Sequence, residues 1–162
     1  MTQQIISICG IKNSGKTTLV TKLVSRLSGE GYKVAVIKHD GHDFTCDVPG
    51  TDTYRFTENG AYGVACFSDH RIFVHKQGTG EREEALLALF PEADLILVEG
   101  LKDSTLPKIE VIRRAISDRP ASNPAGRFLI ATDWPAGTFD EPTADLEDAE
   151  GIAKAIGERV ER

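Results

Sequence analysis

The length of 162 residues suits one compact domain, and a chain near this size buries roughly 68–70% of its unfolded surface without disulfides or metals. Hydrophobic residues make up 40% of the sequence and charged residues 27%, which excludes a disordered or fibrous chain. The net charge of −6 disfavours broad electrostatic binding of nucleic acid or of an anionic membrane.

The negative charge is concentrated near the end of the sequence. Residues 128–153 contain seven acidic residues and no Lys or Arg, which leaves a net charge of +1 for the rest of the chain. A local site for an anionic ligand is therefore compatible with the acidic total.

Cysteine usage and apolar patterning predict a cytoplasmic protein. The three cysteines are an odd number without a C-x-x-C pair, which argues against a disulfide scaffold. The first residues lack the basic start and the apolar segment of a signal peptide. No apolar run approaches the ~18 residues of a membrane span, so no membrane partner is expected.

The first 38 residues predict a strand, a helix and a second strand. The apolar run at 5–9 predicts a buried strand. From about 15 to 28, apolar residues recur at helical spacing, and Gly29 and Gly31 follow as the helix stop. The apolar run at 33–38 predicts the second strand. A strand, a helix and a strand in this order form a βαβ unit with parallel pairing.

The next segment predicts a long functional loop and a hairpin. Residues 39–51 are polar, rich in turn residues and too long for a plain connector. A short helix is predicted at 52–59. Two strands at 62–67 and 71–75 form a predicted antiparallel hairpin.

The remainder continues the alternation of helices and strands. An amphipathic helix is predicted at 81–90 and a closing helix at 146–160, after a loop at 133–145. Three apolar runs predict further strands, at 94–100, 108–112 and 128–131. The predicted fold is one α/β domain over 1–162, with a mainly parallel sheet flanked by helices and an antiparallel hairpin.

Residues 10–17, GIKNSGKT, match the phosphate-binding pattern G-x-x-x-x-G-K-[ST] between a predicted strand and a predicted helix. The glycines let backbone N–H groups face a phosphate chain, and the helix N-terminus adds partial positive charge. The lysine of the motif reaches the β- and γ-phosphates, and the hydroxyl that follows it ligates Mg²⁺. The structural alternative is a glycine-rich turn with an exposed lysine. The predicted nucleotide-binding residues are Gly10, Lys12, Asn13, Ser14, Gly15, Lys16, Thr17 and Thr18.

The apolar run at 95–98 ends at Glu99 and Gly100, which places one carboxylate at the C-terminal end of this predicted strand. In an open α/β sheet the carboxyl ends of the strands form the ligand-bearing edge. A carboxylate there holds Mg²⁺ or a water on the metal. The sequence therefore predicts Thr17 and Glu99 as the metal site, outside the core, with a solvated strand-end glutamate as the alternative.

The loop that follows the βαβ unit carries a cluster of charged and imidazole side chains. Three interpretations stay open: a phosphate- or partner-sensing loop, a zinc site and a solvated loop. The residues assigned to a partner or substrate are His39, Asp40, His42, Asp43, Asp47, Asp52 and Arg55. Asp52 is alternatively a helix cap. Lys102 and Lys108 are predicted to add positive charge at the edge that bears Glu99, or else to be solubilising lysines.

Asp133 follows the strand predicted at 128–131. A carboxylate accepts hydrogen bonds from the N1–H and 2-amino groups of guanine, which adenine lacks. The sequence contains no N-K-x-D stretch, so guanine selectivity is not secured by a motif. An ordinary turn or N-cap residue before Pro135 is the alternative.

Several segments, in this order, resemble the molybdopterin-guanine dinucleotide biosynthesis adapter protein B family. They are residues 10–18, 36–40, 42–44, 47–50, 52–55, 60–61, 98–102 and 107–111. The resemblance implies a P-loop fold that binds GTP with Mg²⁺ and hydrolyses it weakly. It also implies a homodimer that assists the guanylyltransferase joining GMP to molybdopterin.

Two other classes compete with the adapter interpretation. A P-loop small-molecule kinase needs an arginine-rich lid and an acceptor-activating base, and neither stands out here. A metallochaperone GTPase of the nickel-delivery type carries a clearer guanine motif and a cysteine–histidine metal pair. No residue is predicted to be catalytic, and any hydrolysis is expected to be slow.

Overall fold

The computed structural model describes residues 3–42, 44–78 and 83–160, which contain eight β-strands and four α-helices. In chain order they are β1 (Gln4–Cys9), α1 (Lys16–Gly29), β2 (Val34–Lys38), α2 (Asp52–Glu58), β3 (Gly63–Phe67), β4 (Ile72–Lys76), α3 (Glu83–Leu87), β5 (Leu95–Glu99), β6 (Lys108–Ile112), β7 (Arg127–Thr132), β8 (Thr143–Asp145) and α4 (Ala149–Val160).

Six strands form one sheet in the order β2-β5-β1-β6-β7-β8, and its pairings are parallel. Glu99, the last residue of β5, is level with Ile8 of β1 and with Lys38 of β2. Parallel pairing therefore brings the loop after β1 to the same edge as Glu99. The predicted α/β fold, a mainly parallel sheet flanked by helices with an antiparallel hairpin, is confirmed.

The core lies on both faces of this sheet. On one face, Ile8 and Ile109 pack with Leu23 of α1 and Ile156 of α4. The other face buries a smaller cluster built on Ala93, Ile96 and Val98. Because β5 is covered on both faces, all five of its residues are buried, as expected for a central parallel strand.

The chain divides into two compact units. The larger comprises residues 1–39 and 87–162 and contains the six-stranded sheet with α1 and α4. The smaller comprises residues 40–86 and contains α2 and the antiparallel pair β3–β4. Among the described residues, no helix combines the length and apolarity that a membrane span requires.

The C-terminal third contains two errors of the sequence prediction. The predicted loop at 133–145 includes β8, which pairs with β7. Its three residues are too few to show the apolar pattern by which a strand is predicted. The closing helix begins at Ala149 instead of 146, because Asp148 accepts a hydrogen bond from the N–H of Gly151 at 2.8 Å and caps it.

The helix predicted at 81–90 is shorter than expected. Residues 81 and 82 lie outside the described residues, and α3 ends at Leu87, three residues before the predicted end. Phe90 closes a turn by donating its N–H to the carbonyl of Leu87 at 3.3 Å. The helical spacing of apolar residues in the sequence thus continues to residue 90, although the helix itself ends at Leu87.

Candidate nucleotide-binding site

The loop that joins β1 to α1 has the backbone conformation its sequence predicts. Gly10, Asn13 and Gly15 have φ angles of 140°, 64° and 102°. Glycine adopts such angles without strain, and asparagine is among the residues that best tolerate them. A Cβ on Gly10 would lie 2.5 Å from the carbonyl oxygen of Val111, so glycine is required there for space as well.

The N-terminus of α1 presents donors without a competing side-chain acceptor. Gly15 is the N-cap, no side chain caps the helix, and its first turn contains no acidic residue. The N–H groups of that turn have no intrahelical partners, and the helix dipole makes them attractive to an anion. The buried hydroxyl of Ser14 has no hydrogen-bond partner among the described residues. These features together suit a phosphate.

Lys16, the first residue of α1, places a positive charge beside the loop. Its Nζ donates to the carbonyl of Ile11 at 2.7 Å, so the side chain lies over the loop. Burial lowers the pKa of the Lys16 ammonium, and the negative charge of Glu99 opposes that shift. The ammonium is therefore held beside the loop by one neutral acceptor that a phosphate oxygen can replace.

Thr17 and Glu99, which the sequence assigns to a metal site, are 82 positions apart and lie within hydrogen-bond distance of each other. Thr17 Oγ1 lies 3.0 Å from each carboxylate oxygen of Glu99, and Lys38 Nζ lies 3.5 Å from Oε1. A hydroxyl next to a carboxylate is a suitable pair of oxygen ligands for Mg²⁺. The expectation that Glu99 lies outside the core is wrong, because it is only 8% exposed between the ends of β1 and β2.

The backbone after Glu99 is fixed by its neighbour at the end of β2. The N–H of His39 donates to the carbonyl of Glu99 at 2.9 Å. Gly100 has a φ of 115°, and a Cβ there would lie 3.1 Å from the Cβ of His39. Glycine therefore allows the two strand ends to approach closely. Lys38 was not predicted as a site residue, although its position as the last residue of a strand was a usable signal.

Asp133 and Arg113 lie where β7 and β6 end. Asp133 is exposed, and its Oδ1 accepts the N–H of Arg114 at 2.5 Å. Arg113 was not predicted from the sequence, yet its Nε donates to the carbonyl of Ser14 at 3.3 Å. The sequence did offer a signal, because Arg113 directly follows a buried strand. A basic residue at that position indicates a ligand-bearing edge as well as an acidic residue does.

The assignment of Lys108 to a ligand or partner is wrong. The residue is fully buried at the start of β6, and its Nζ donates to the carbonyls of Ser104, Asn123 and Ala125 at 2.5, 3.2 and 2.6 Å. Its three N–H donors thus serve the loops around it. Lys102 is exposed, as the prediction requires.

In the smaller unit, Asp47 organises the segment before α2. Its Oδ1 accepts hydrogen bonds from the N–H of Val48 at 2.8 Å and from the hydroxyls of Thr51 and Thr53 at 3.3 and 3.2 Å. The N-cap of α2 is Thr51, whose hydroxyl accepts the N–H of Tyr54, so the alternative that Asp52 caps this helix is wrong. Asp52 and Arg55 lie exposed on α2.

The first part of this segment lines a cavity of about 530 Å³ within the smaller unit. Asp40 Oδ1 accepts the N–H of His42 at 3.2 Å, and Phe44 is 67% exposed. Asp43 lies outside the described residues. In the described ranges, no group of three or more His, Cys, Asp or Glu residues could hold a metal ion, so they provide no zinc site. The lining residues are Asp40, Gly41, His42, Phe44, His75, Lys76, Gln77 and Gly78.

Comparison with known proteins gives one consistent result. The family model "Molybdopterin guanine dinucleotide synthesis protein B" matches residues 5–133. The chain is 32% identical to the molybdopterin-guanine dinucleotide biosynthesis adapter protein of Escherichia coli K12, over 98% of this chain and 94% of that protein. It is 31% identical to the protein with the same name from Haemophilus influenzae, over 94% and 86% of the two chains.

Solved structures give the same fold. The crystal structure of a MobB protein homolog from Bacillus stearothermophilus matches with a TM-score of 0.73 and 25% identity, over 97% of both chains. The crystal structure of Bacillus subtilis MobB matches with a TM-score of 0.77 and 21% identity, over 95% of this chain and 96% of that one. At 21% identity the second likeness concerns the fold alone.

Proposed function

Because the chain belongs to the molybdopterin guanine dinucleotide synthesis protein B family, we propose that it is a GTP-binding adapter. It assists, in the cytoplasm, the guanylyltransferase that joins GMP to molybdopterin. The observation that carries nucleotide binding is the uncapped N-terminus of α1, which follows a loop with three positive φ angles.

The residues of the loop fit a triphosphate. The backbone N–H groups and the hydroxyl of Ser14, which has no partner among the described residues, offer donors, and Lys16 adds a positive charge beside the loop. Thr17 and Glu99 offer two oxygen ligands to Mg²⁺, which when bound would neutralise phosphate charge. The proposed nucleotide-binding residues are Gly10, Lys12, Asn13, Ser14, Gly15, Lys16, Thr17, Thr18 and Asp133.

The role of bound GTP is proposed to be positional, with only slow hydrolysis. Fast hydrolysis requires a positioned water and an arginine-type stabiliser of the γ-phosphate, the latter worth ~10³–10⁵ in rate. The sequence candidates, His39, Asp40 and Arg55, do not have the spacing of a known catalytic pair. The segment 40–55 of the smaller unit is proposed to contact the guanylyltransferase or the anionic pterin. The same role is proposed separately for the exposed Lys102 of the larger unit.

The proposed function is tested by two assays on the intact protein. Guanylylation of molybdopterin by the partner enzyme should increase when the protein and GTP are added. Single-turnover hydrolysis of GTP by the protein alone should be far slower than one event per second. The surface variant Arg119→Ala should behave like the wild type in both assays, because this side chain is 84% exposed and, among the described residues, its ion pair is with the neighbouring Asp118 at 3.5 Å.

The two assays can each contradict a different part of the proposal. No effect on guanylylation at saturating protein would exclude the adapter role even if GTP binds tightly. Many turnovers per second without a partner would make the protein a GTPase enzyme in its own right.

The smaller unit supports a homodimer. Along the β3–β4 pair, Val64 and Phe73 are half-buried, whereas the alternate residues Phe67, Ile72 and Val74 are 81%, 78% and 62% exposed. Among the described residues this sheet has two strands, which are marginal alone, and its exposed apolar face suits burial against a second copy of the same sheet. The proposed homodimer buries this face.

Sedimentation velocity tests the dimer. At micromolar concentration the protein should sediment as a dimer, and Phe67→Ser should shift it towards the monomer. Ile116→Ser, which changes a 43% exposed apolar residue of the larger unit, should not. A wild-type monomer at every concentration would contradict the proposal.

A further inference from the structure

The ends of β6 and β7 place a guanidinium beside the phosphate-binding loop. Arg113 directly follows β6, and its Nε donates to the carbonyl of Ser14 at 3.3 Å. A Cβ on Gly15 would lie 3.1 Å from Arg113 Nη2, so the absent side chain of Gly15 leaves the space that the guanidinium uses. The Nε–H holds the loop, and the Nη groups are additional donors at the same place.

Asp133 follows the neighbouring strand, β7, as Arg113 follows β6. In the parallel pair β6–β7, Ile112 is level with Thr132, so Arg113 and Asp133 are the next residues on adjacent strands. Oδ1 of Asp133 accepts the N–H of Arg114, which anchors the carboxylate at the peptide that follows Arg113. A basic and an acidic residue thus follow adjacent strands at the ligand-bearing edge of the sheet.

Arg114 cannot take the role of Arg113, because its side chain is already engaged. Its guanidinium lies 5.0 Å from the centre of the Trp134 ring. The Trp134 Nε1–H donates to the carbonyl of Ser117 at 2.9 Å and fixes the ring. This contact holds the turn after β6, whereas the guanidinium of Arg113 donates to the phosphate-binding loop.

Guanine presents two adjacent edges with opposite hydrogen-bonding character. One edge has the N1–H and 2-amino donors, and the other has the O6 and N7 acceptors that arginine matches. Adenine offers an acceptor at N1 and a donor at its 6-amino group, so a carboxylate and a guanidinium oppose it at those atoms. The pair of side chains at the ends of β6 and β7 has the charges that guanine requires.

We infer that Arg113 is a specificity-determining residue that donates to N7 and O6 of guanine while Asp133 accepts from N1–H and the 2-amino group. The inference rests on the proposed binding of GTP. It supplies the selectivity that the missing N-K-x-D stretch does not. Nε of the same side chain donates a hydrogen bond to the carbonyl of Ser14 in the phosphate-binding loop. One connected set of residues therefore recognises both the base and the phosphates.

The test compares GTP with 7-deaza-GTP, in which a carbon replaces N7. Calorimetric affinities are measured for the wild type, Arg113→Ala, Arg113→Lys and the surface control Arg119→Ala. A hydrogen bond from a charged group contributes ~1.5–3 kcal/mol, so wild type and control should bind GTP at least about tenfold more tightly than 7-deaza-GTP. In Arg113→Ala the two affinities should become equal, and the preference for GTP over ATP should fall.

Three results would overturn the inference. If the wild type binds GTP and 7-deaza-GTP equally, Arg113 does not contact N7, although GTP binding itself stands. If Arg113→Ala weakens the binding of GTP and of 7-deaza-GTP by the same factor, the residue only holds the loop through Ser14. If the wild type binds no GTP, the proposed function fails together with this inference. Arg113→Lys, which keeps the charge, is measured as well because the alanine variant could fail to fold.

Discussion

Replacing Lys16 by alanine should weaken GTP binding at least about tenfold and leave the protein folded. The ammonium donates to the neutral carbonyl of Ile11, a bond that a phosphate oxygen replaces with a charged one. Charged hydrogen bonds contribute ~1.5–3 kcal/mol each, and Lys16 can make more than one to the β- and γ-phosphates. The side chain is outside the core clusters, so the thermal midpoint should change little.

Calorimetric titration with GTP gives the affinity, and thermal unfolding monitors the fold. The matched control is Lys154→Ala, which removes one exposed ammonium from α4 in the same unit and should bind GTP like the wild type. Equal affinities for wild type and Lys16→Ala, with both folded, would show that residues 10–17 form a turn that does not bind phosphate.

The fold and the centre of the site could be predicted because both depend on local patterns. The apolar run before Gly10 and the helical spacing after Gly15 predict the βαβ unit. Parallel pairing then places the end of β5 beside the loop that follows β1. The contact between Thr17 and Glu99 is a consequence of that topology. Its residues could therefore be named from the sequence.

The burial of charged residues could not be predicted, because it depends on other loops and strand ends. No pattern in the sequence around a charged residue shows which of these will pack against it. Lys108 looks like any lysine after a turn, but the carbonyls that bind it belong to residues 4, 15 and 17 positions away. Arg113 likewise acquires its position from Ser14, which lies 99 residues earlier. Glu99 was placed correctly at a strand end, yet its burial follows from the neighbouring ends of β1 and β2.

Replacing Glu99 by glutamine should make GTP binding nearly insensitive to Mg²⁺. The carboxylate and the Thr17 hydroxyl are the proposed oxygen ligands, and the amide keeps the shape but loses the charge that Mg²⁺ prefers. If Mg²⁺ strengthens GTP binding by the wild type about tenfold or more, the variant should lose most of that factor. The loss of one charged ligand, worth ~1.5–3 kcal/mol, accounts for the size of the effect.

The effect on folding should be small even though Glu99 is 8% exposed. The Thr17 hydroxyl can still donate to the amide oxygen. Lys38 loses its ion pair with Glu99, but its side chain is 57% exposed and stays hydrated, and glutamine also removes the cost of burying a carboxylate that is only 10% exposed. Glu92→Gln, at an exposed position before β5, controls for the removal of one negative charge. A Glu99→Gln protein that keeps the full wild-type response to Mg²⁺ in paired titrations would show that Glu99 only pairs with Lys38 and Thr17, and the metal would need another ligand.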